Sequence, residues 1–125
     1  MQIKLIVLGK TDSKAIQELI QDYSARLGHY IRFELEVIPD LKQSKSLSEA
    51  LQKEKEGELI LKKLLSSDEL ILLDERGKSY SSLEFADFLQ KKMNSGLKQL
   101  VFVVGGPYGF SEAVYARAHG KISLS

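Results

Sequence analysis

Two short segments carry the residues whose types and spacing best suit ligand chemistry. Segment 105–110 places three glycines in five positions around Pro107. Glycine lets a backbone approach a ligand closely and adopt positive φ, while proline stiffens the loop. Segment 72–78 presents Asp74 and Glu75, whose carboxylates can accept hydrogen bonds from a hydroxylated ligand or attract a cation. Both segments are therefore candidate binding loops.

Each segment also has a simpler interpretation. The spacing in 105–110 does not match G-x-G-x-x-G, and the segment lacks the lysine and Ser/Thr of a phosphate-binding P-loop, so ordinary NAD or nucleoside triphosphate binding is disfavoured. A strand-to-helix turn would explain its glycines, and a solvated β-turn would explain Asp74 and Glu75. His29 and His119 are isolated imidazoles that suit surface or helix-end positions.

Composition narrows the class of protein. With 125 residues, of which 43% are hydrophobic, the chain is long enough to fill one core, so we expect a single domain. The N-terminal apolar run lacks the features of an export signal, and no run is long enough to cross a bilayer, which predicts a cytoplasmic protein. Without cysteine, and with two histidines, we expect no metal site. The formal charge of +1 argues against indiscriminate nucleic-acid binding.

Hydrophobic periodicity predicts the elements that position the two loops. Apolar or alternating runs predict strands, whereas apolar residues three and four apart predict helices. The strands are expected over 2–8, 31–37 (near a sheet edge), 70–73 and 99–104, and the helices over 15–27, 47–65, 83–93 and 113–120. Segment 121–125 is expected to be the beginning of another strand or a buried loop. Ser46 with Glu49 and Ser81 with Glu84 have capping-box spacing, Ser111 suits an N-cap, and Gly57 should weaken its helix.

This alternation predicts an α/β fold with a mostly parallel sheet and helices on both faces. In such sheets, ligands bind where loops leave the carboxyl ends of the strands. Segments 72–78 and 105–110 both follow apolar strands in this pattern. We therefore expect the two loops to meet at one edge of the sheet.

Four segments also resemble a known family, in the same order along the chain. They are IKLIVLGK at 3–10, EKEGE at 54–58, LLDERGK at 72–78 and FVVGGPYG at 102–109. Together they closely resemble the 23S rRNA pseudouridine N3-methyltransferases of the SPOUT class, which carry a C-terminal trefoil knot. The resemblance covers essentially the whole chain and implies one SPOUT methyltransferase domain over residues 1–125, with an α/β-knot fold.

The resemblance implies an activity as well. It indicates a homodimer that uses S-adenosyl-L-methionine to methylate ring nitrogen 3 of a pseudouridine in 23S rRNA of the assembled ribosome. The residues it assigns to the methyl-donor pocket are Leu73, Gly105, Gly106, Pro107, Leu124 and Ser125. The reaction also needs a group that removes the ring proton, and the sequence does not identify it. Asp74, Glu75 and His119 are candidates by chemical type alone.

Family members continue beyond the position that corresponds to Ser125, through the segment that completes the knot. We therefore expect a C-terminally short domain with an incomplete knot and weak donor binding. Two alternatives to the enzyme stay open. One is a non-enzymatic α/β ligand-binding or regulatory module built on the same glycine loop, and the other is an inactive truncated form.

Overall fold

The computed structural model describes residues 1–9, 11–27, 31–39, 48–105 and 108–124. Within these ranges, strands and helices alternate along the chain in the predicted order. The strands are β1 Gln2–Leu8, β2 Arg32–Ile38, β3 Glu69–Ser79, β4 Gln99–Val104 and β5 Gly120–Ser123. The helices are α1 Lys14–Arg26, α2 Glu49–Lys62, α3 Ser82–Asn94 and α4 Glu112–Arg117.

The five strands form one sheet in the order β2-β1-β4-β3-β5, and each neighbouring pair is parallel. β1 and β4 lie inside the sheet and are almost entirely buried. β2 lies at an edge, as its alternation of charged and apolar residues predicts. In the described part of the chain, no helix is long and apolar enough to cross a membrane.

Helices cover both faces of the sheet, which confirms the predicted α/β class. Successive residues of a strand point to opposite faces, so β4 contributes to two cores. Leu100 and Phe102 pack with α1 and α3, while Val101 and Val103 pack with α2 and α4. The rings of Phe85 and Phe102 lie 5.9 Å apart in the first core. The sheet is therefore a rigid platform held from both sides.

Two of the three predicted N-cap positions are correct. The Ser81 hydroxyl accepts a hydrogen bond from the Glu84 N–H, the Glu84 carboxylate accepts one from the Ser81 N–H, and these bonds lower the pKa of Glu84. Ser111 is the N-cap of α4, as predicted, and its hydroxyl accepts a hydrogen bond from the Val114 N–H. The start predicted from Ser46 and Glu49 is wrong. α2 begins at Glu49 itself, after Ser48 as N-cap, and Ser46 lies outside the described residues.

β3 differs most from its prediction. The segment expected to turn after Leu73 stays in the strand, which runs to Ser79. The pairing with β5 is irregular between Leu73 and Lys78 and then resumes. We call residues 74–77, which lie within this irregularity, the β3 detour. Gly77 makes the detour possible, because a Cβ atom there would lie 2.6 Å from the backbone carbonyl carbon of Lys121. The detour therefore packs directly against β5.

The C-terminal elements are shorter than predicted. α4 ends at Arg117, before the expected end near Gly120, because Ala118 has an extended backbone with ψ of 147°. Gly120 instead begins β5, which ends at Ser123. A strand is thus present in this region. Ser125 lies outside the described residues.

Gly57 allows α2 to approach α4 closely. It is buried, and a Cβ atom at this position would lie 2.4 Å from the Ser111 Oγ and 3.1 Å from the Val114 Cγ2. Ser111 cannot simply rotate away without loss, because its hydroxyl accepts the Val114 N–H that starts α4. The glycine that weakens the helix by propensity is therefore required by packing.

We predict that Gly57→Ala lowers the free energy of unfolding. Overpacking a core typically costs ~1–3 kcal/mol, which outweighs the ~1 kcal/mol that alanine gains over glycine in an exposed helix. Urea denaturation of Gly57→Ala, alone and in a Ser111→Gly background, measures the effect. The cost should fall when the Ser111 side chain is removed. An equal cost in both backgrounds, or a stabilised Gly57→Ala, would contradict the packing explanation.

Candidate functional site

β4 and β5 end at one edge of the sheet, beside Leu73 in the middle of β3. Leu73 of β3 is the register partner of Val104 in β4 and of Ile122 in β5. The chain continues from these partners into Gly105 on one side and Leu124 on the other. Parallel pairing thus brings three of the predicted site residues, Leu73, Gly105 and Leu124, to one place.

Two adjoining cavities open at this edge. The first, of about 250 Å³, lies towards the glycine loop and includes Gly105, Gly109 and Phe110 in its lining. The second, of about 300 Å³, lies towards α1 and includes Ile16 and Leu124. The residues lining both are Leu73, Asp74, Glu75 and Val104. A ligand with two parts could therefore span the shared wall.

The carboxylates of Asp74 and Glu75 give this wall an acidic character. Asp74 is held firmly, since its Oδ2 accepts the Tyr115 hydroxyl at 2.9 Å and its Oδ1 accepts the Arg76 N–H at 3.0 Å. Glu75 is exposed at the cavity rim. An acidic wall in a partly enclosed cavity favours a positively charged group over a neutral one. Arg76 also lines the first cavity, so this preference for a cationic group belongs to the shared wall and not to the whole site.

The glycine loop uses its glycines in two ways. Gly109 has a φ of +81°, a conformation that glycine adopts without strain. Gly105 is needed for packing, because a Cβ atom there would lie 2.7 Å from the Cζ of the buried Phe110 ring. Phe110 thereby folds back over the end of β4. Gly106 and Pro107, which were also predicted for the site, lie outside the described residues.

Of the three candidates for a proton acceptor, two lie together and the third lies apart from them. Asp74 and Glu75 line the two cavities, whereas His119 lines another cavity beyond Arg76. The imidazole of His119 is bound to the sheet, where its Nδ1 accepts the Leu70 N–H at 3.2 Å. His29 lies outside the described residues. In the described ranges, no three His, Cys, Asp or Glu side chains converge to hold a metal ion.

Tyr115 is the most informative residue that sequence reasoning missed. Its hydroxyl joins α4 to the β3 detour through Asp74, and its ring packs edge-on against Phe110 at 5.7 Å. No local pattern marks this contact, because Tyr115 and Asp74 are 41 positions apart.

A larger cavity lies away from the strand ends. It measures about 770 Å³ and its walls come mainly from α2 and the start of α4. Several charged side chains on helix surfaces surround it, among them Lys53, Glu54 and Glu112. It shares Phe110 with the first cavity but contains neither Leu73, Gly105 nor Leu124, so it is a different cavity from the two at the sheet edge at which ligands bind in folds of this class.

A known family and several named relatives match the whole chain. The family described as "Predicted SPOUT methyltransferase" matches residues 1–125. A relative from Flavobacterium johnsoniae named "Ribosomal RNA large subunit methyltransferase H" is 66% identical over 125 residues, which is 100% of this chain and 80% of that protein. Proteins of the same name from Flavobacterium psychrophilum and Parabacteroides distasonis are 65% and 63% identical, with the same shares covered.

The contact between Tyr115 and Asp74 should be visible in alkaline titration. Burial, followed by the hydrogen bond to Asp74 and its charge, raises the pKa of Tyr115 above its ordinary 10.0. The stability that this group contributes is complete below pH 10 and is lost as the pH rises through the higher pKa of the folded state. In Asp74→Asn, we expect the pKa of Tyr115 to fall towards its ordinary value, as measured by tyrosinate absorbance with Tyr115→Phe as the reference. An unchanged Tyr115 titration would contradict the contact.

Proposed function

Because the chain belongs to the SPOUT methyltransferase family, we propose that it transfers a methyl group from S-adenosyl-L-methionine to ring nitrogen 3 of a pseudouridine in 23S rRNA. Residues 1–125 act as a single methyltransferase domain in this proposal. The observation that carries it is the pair of cavities that share Leu73 at the carboxyl ends of the strands. The names of the relatives support rRNA as the acceptor.

The two cavities fit the proposed donor in size and charge. S-adenosyl-L-methionine has an adenosine part and a methionine part, joined at a positively charged sulfonium that supplies the methyl group. Each cavity is small, at about 250 and 300 Å³, against the roughly 300–1,000 Å³ typical of ligand pockets. One part of the donor in each cavity would bring the sulfonium near the wall that carries Asp74 and Glu75.

Individual residues have separate tasks in this proposal. Leu73, Gly105 and Leu124, with Gly106, Pro107 and Ser125, line the donor pocket. Backbone amides and carbonyls of these loops hold the adenine and the amino-acid group. Phe110 closes the end of β4 and keeps the glycine loop in place. Tyr115 and the Arg76 N–H hold the Asp74 carboxylate, so that its charge faces the donor without a change of position.

Positioning supplies much of the rate in such a reaction. Methyl transfer from a sulfonium is an in-line displacement, and the sulfonium is already activated, so holding donor and acceptor in line lowers the barrier. The pseudouridine N–H must also lose its proton, which requires a base or a group that stabilises the anion. Of the three candidates, Glu75 is the exposed carboxylate at the cavity rim. The Asp74 Oδ2 and the His119 Nδ1 instead accept hydrogen bonds from other residues of the fold.

We also propose the setting in which the enzyme works. It acts in the cytoplasm as a homodimer on the assembled ribosome, and the reaction uses no metal. The formal charge of +1 supports this choice of substrate. A subunit that is nearly neutral has little general attraction for naked RNA, whereas a structured ribosomal site adds recognition by shape.

The test is methyl transfer to defined ribosomes. We expect the protein to form 3-methylpseudouridine in ribosomes that lack this modification, detected by mass spectrometry of digested 23S rRNA. The matched control is ribosomes from cells without the pseudouridine synthase, which should accept no methyl group. Donor binding without methyl incorporation would instead indicate the non-enzymatic ligand-binding module.

Gly105→Val should weaken donor binding at least about tenfold, which corresponds to ~1.4 kcal/mol. The added side chain meets the Phe110 ring and pushes one of the two from the cavity wall. Calorimetric titration with S-adenosyl-L-methionine measures the loss, and circular dichroism checks the fold. Gly96→Ala is the control for a loss of stability alone, because a φ of +81° strains an alanine there, while its Cβ atom would meet nothing within 4 Å and the residue lies outside the site. Equal donor affinity of Gly105→Val and the parent protein would contradict the assignment.

A further inference from the structure

The cavity that includes His119 measures about 460 Å³, lies beside the donor site and has a cationic lining. It is lined by Arg76, Tyr115, Ala118, His119, Gly120 and Lys121. None of these residues is acidic, although the whole chain has 17 acidic and 18 basic residues. We call it the cationic cavity. A concentration of donors and positive charge in a nearly neutral protein points to an anionic ligand.

The two charged side chains of the cationic cavity are carried by backbones in direct contact. Arg76 lies in the β3 detour, next to Gly77, and Lys121 lies in β5. Because a Cβ atom at Gly77 would lie 2.6 Å from the Lys121 carbonyl carbon, only glycine permits this approach. The backbone positions that carry the two cations are thus fixed relative to each other by the sheet, although both side chains are exposed.

His119 adds an oriented donor. Its backbone N–H donates to the Leu70 carbonyl at 2.7 Å, and its Nδ1 accepts the Leu70 N–H at 3.2 Å. With Nδ1 acting as acceptor, the neutral imidazole carries its proton on Nε2. The imidazole is therefore held at the cavity wall as a hydrogen-bond donor.

Nearby groups leave the cationic cavity positive. The Lys121 Nζ lies 5.3 Å from the centre of the Tyr115 ring, a cation–π contact that positions the ammonium without neutralising it. Asp74, the neighbouring carboxylate, accepts the Tyr115 hydroxyl and the Arg76 backbone N–H and lies outside this lining. Among the described residues, the salt bridges include neither Arg76 nor Lys121.

Position relates this cavity to the donor site. Arg76 lines both the cationic cavity and the cavity next to Gly105. A polyanion held in the cationic cavity would therefore reach the donor site within one side chain's span. We propose that the cationic cavity binds a backbone phosphate of the substrate RNA and so orients the target nucleotide towards the donor. This inference rests on the proposed rRNA methyltransferase function.

The test is the salt dependence of ribosome binding by Lys121→Gln. Removing one phosphate contact should weaken binding by roughly threefold at moderate salt and reduce the slope of log affinity against log salt by about one. Binding is measured by equilibrium filtration with unmodified ribosomes, so the readout does not depend on catalysis. Donor affinity of Lys121→Gln should equal that of the parent protein, and Lys121→Arg should restore both slope and affinity.

Lys98→Gln is the matched control. Lys98 is an exposed lysine directly before β4, at the end of the sheet where that strand begins. Its replacement by glutamine changes the net charge by the same amount. Indistinguishable slopes for Lys121→Gln and Lys98→Gln would overturn the phosphate site and leave the methyltransferase proposal intact. A loss of donor affinity in Lys121→Gln would also overturn it, since that result indicates a structural role. Ribosome binding with the expected slope but no methyl transfer would count against the proposed function alone.

Discussion

The parallel pairing of β3 with β4 is the constraint on which the rest of the structure depends. It makes Leu73 and Val104 register partners, so β4 ends at the level at which β3 enters its irregular segment. The β3–β5 pairing adds Ile122 beside Leu73. Three connecting segments therefore diverge from one edge and leave two cavities between them. A change of register by one residue would turn Leu73 to the other face and remove the shared wall of the site.

Glycines serve this arrangement chiefly by letting other groups come close. Gly57 admits the Ser111 hydroxyl at the start of α4, Gly77 admits the β5 backbone, and Gly105 admits the Phe110 ring. Each contact fixes an element that borders a cavity. The side chain of Tyr115 then links α4 to the detour of β3 through Asp74. The described residues that border the two cavities are consequently held by packing against their neighbours.

Sequence patterns were sufficient for the order of elements, the class of fold and the meeting of segments 72–78 and 105–110. The periodicity of apolar residues and the position of a loop after a strand are local patterns in the sequence. Parallel pairing then places the loops that follow neighbouring strands close together. The β3 detour was not predictable, because its polar residues read as a turn and only pairing with β5 keeps them in the strand. The N-cap of α2 at Ser48 was missed because Ser44 and Ser46 precede it with similar capping potential. The Tyr115–Asp74 contact depends on tertiary structure alone.

The position of the methyl donor is the central claim, and an NMR titration tests it most directly. Backbone amide shifts of the labelled protein would be followed during addition of S-adenosyl-L-methionine. We expect the largest changes at Leu73, Gly105 and Leu124, which line the two cavities at the ends of the strands. Changes centred instead on Ala50 and Glu54, in the larger cavity between α2 and α4, would contradict the proposed site.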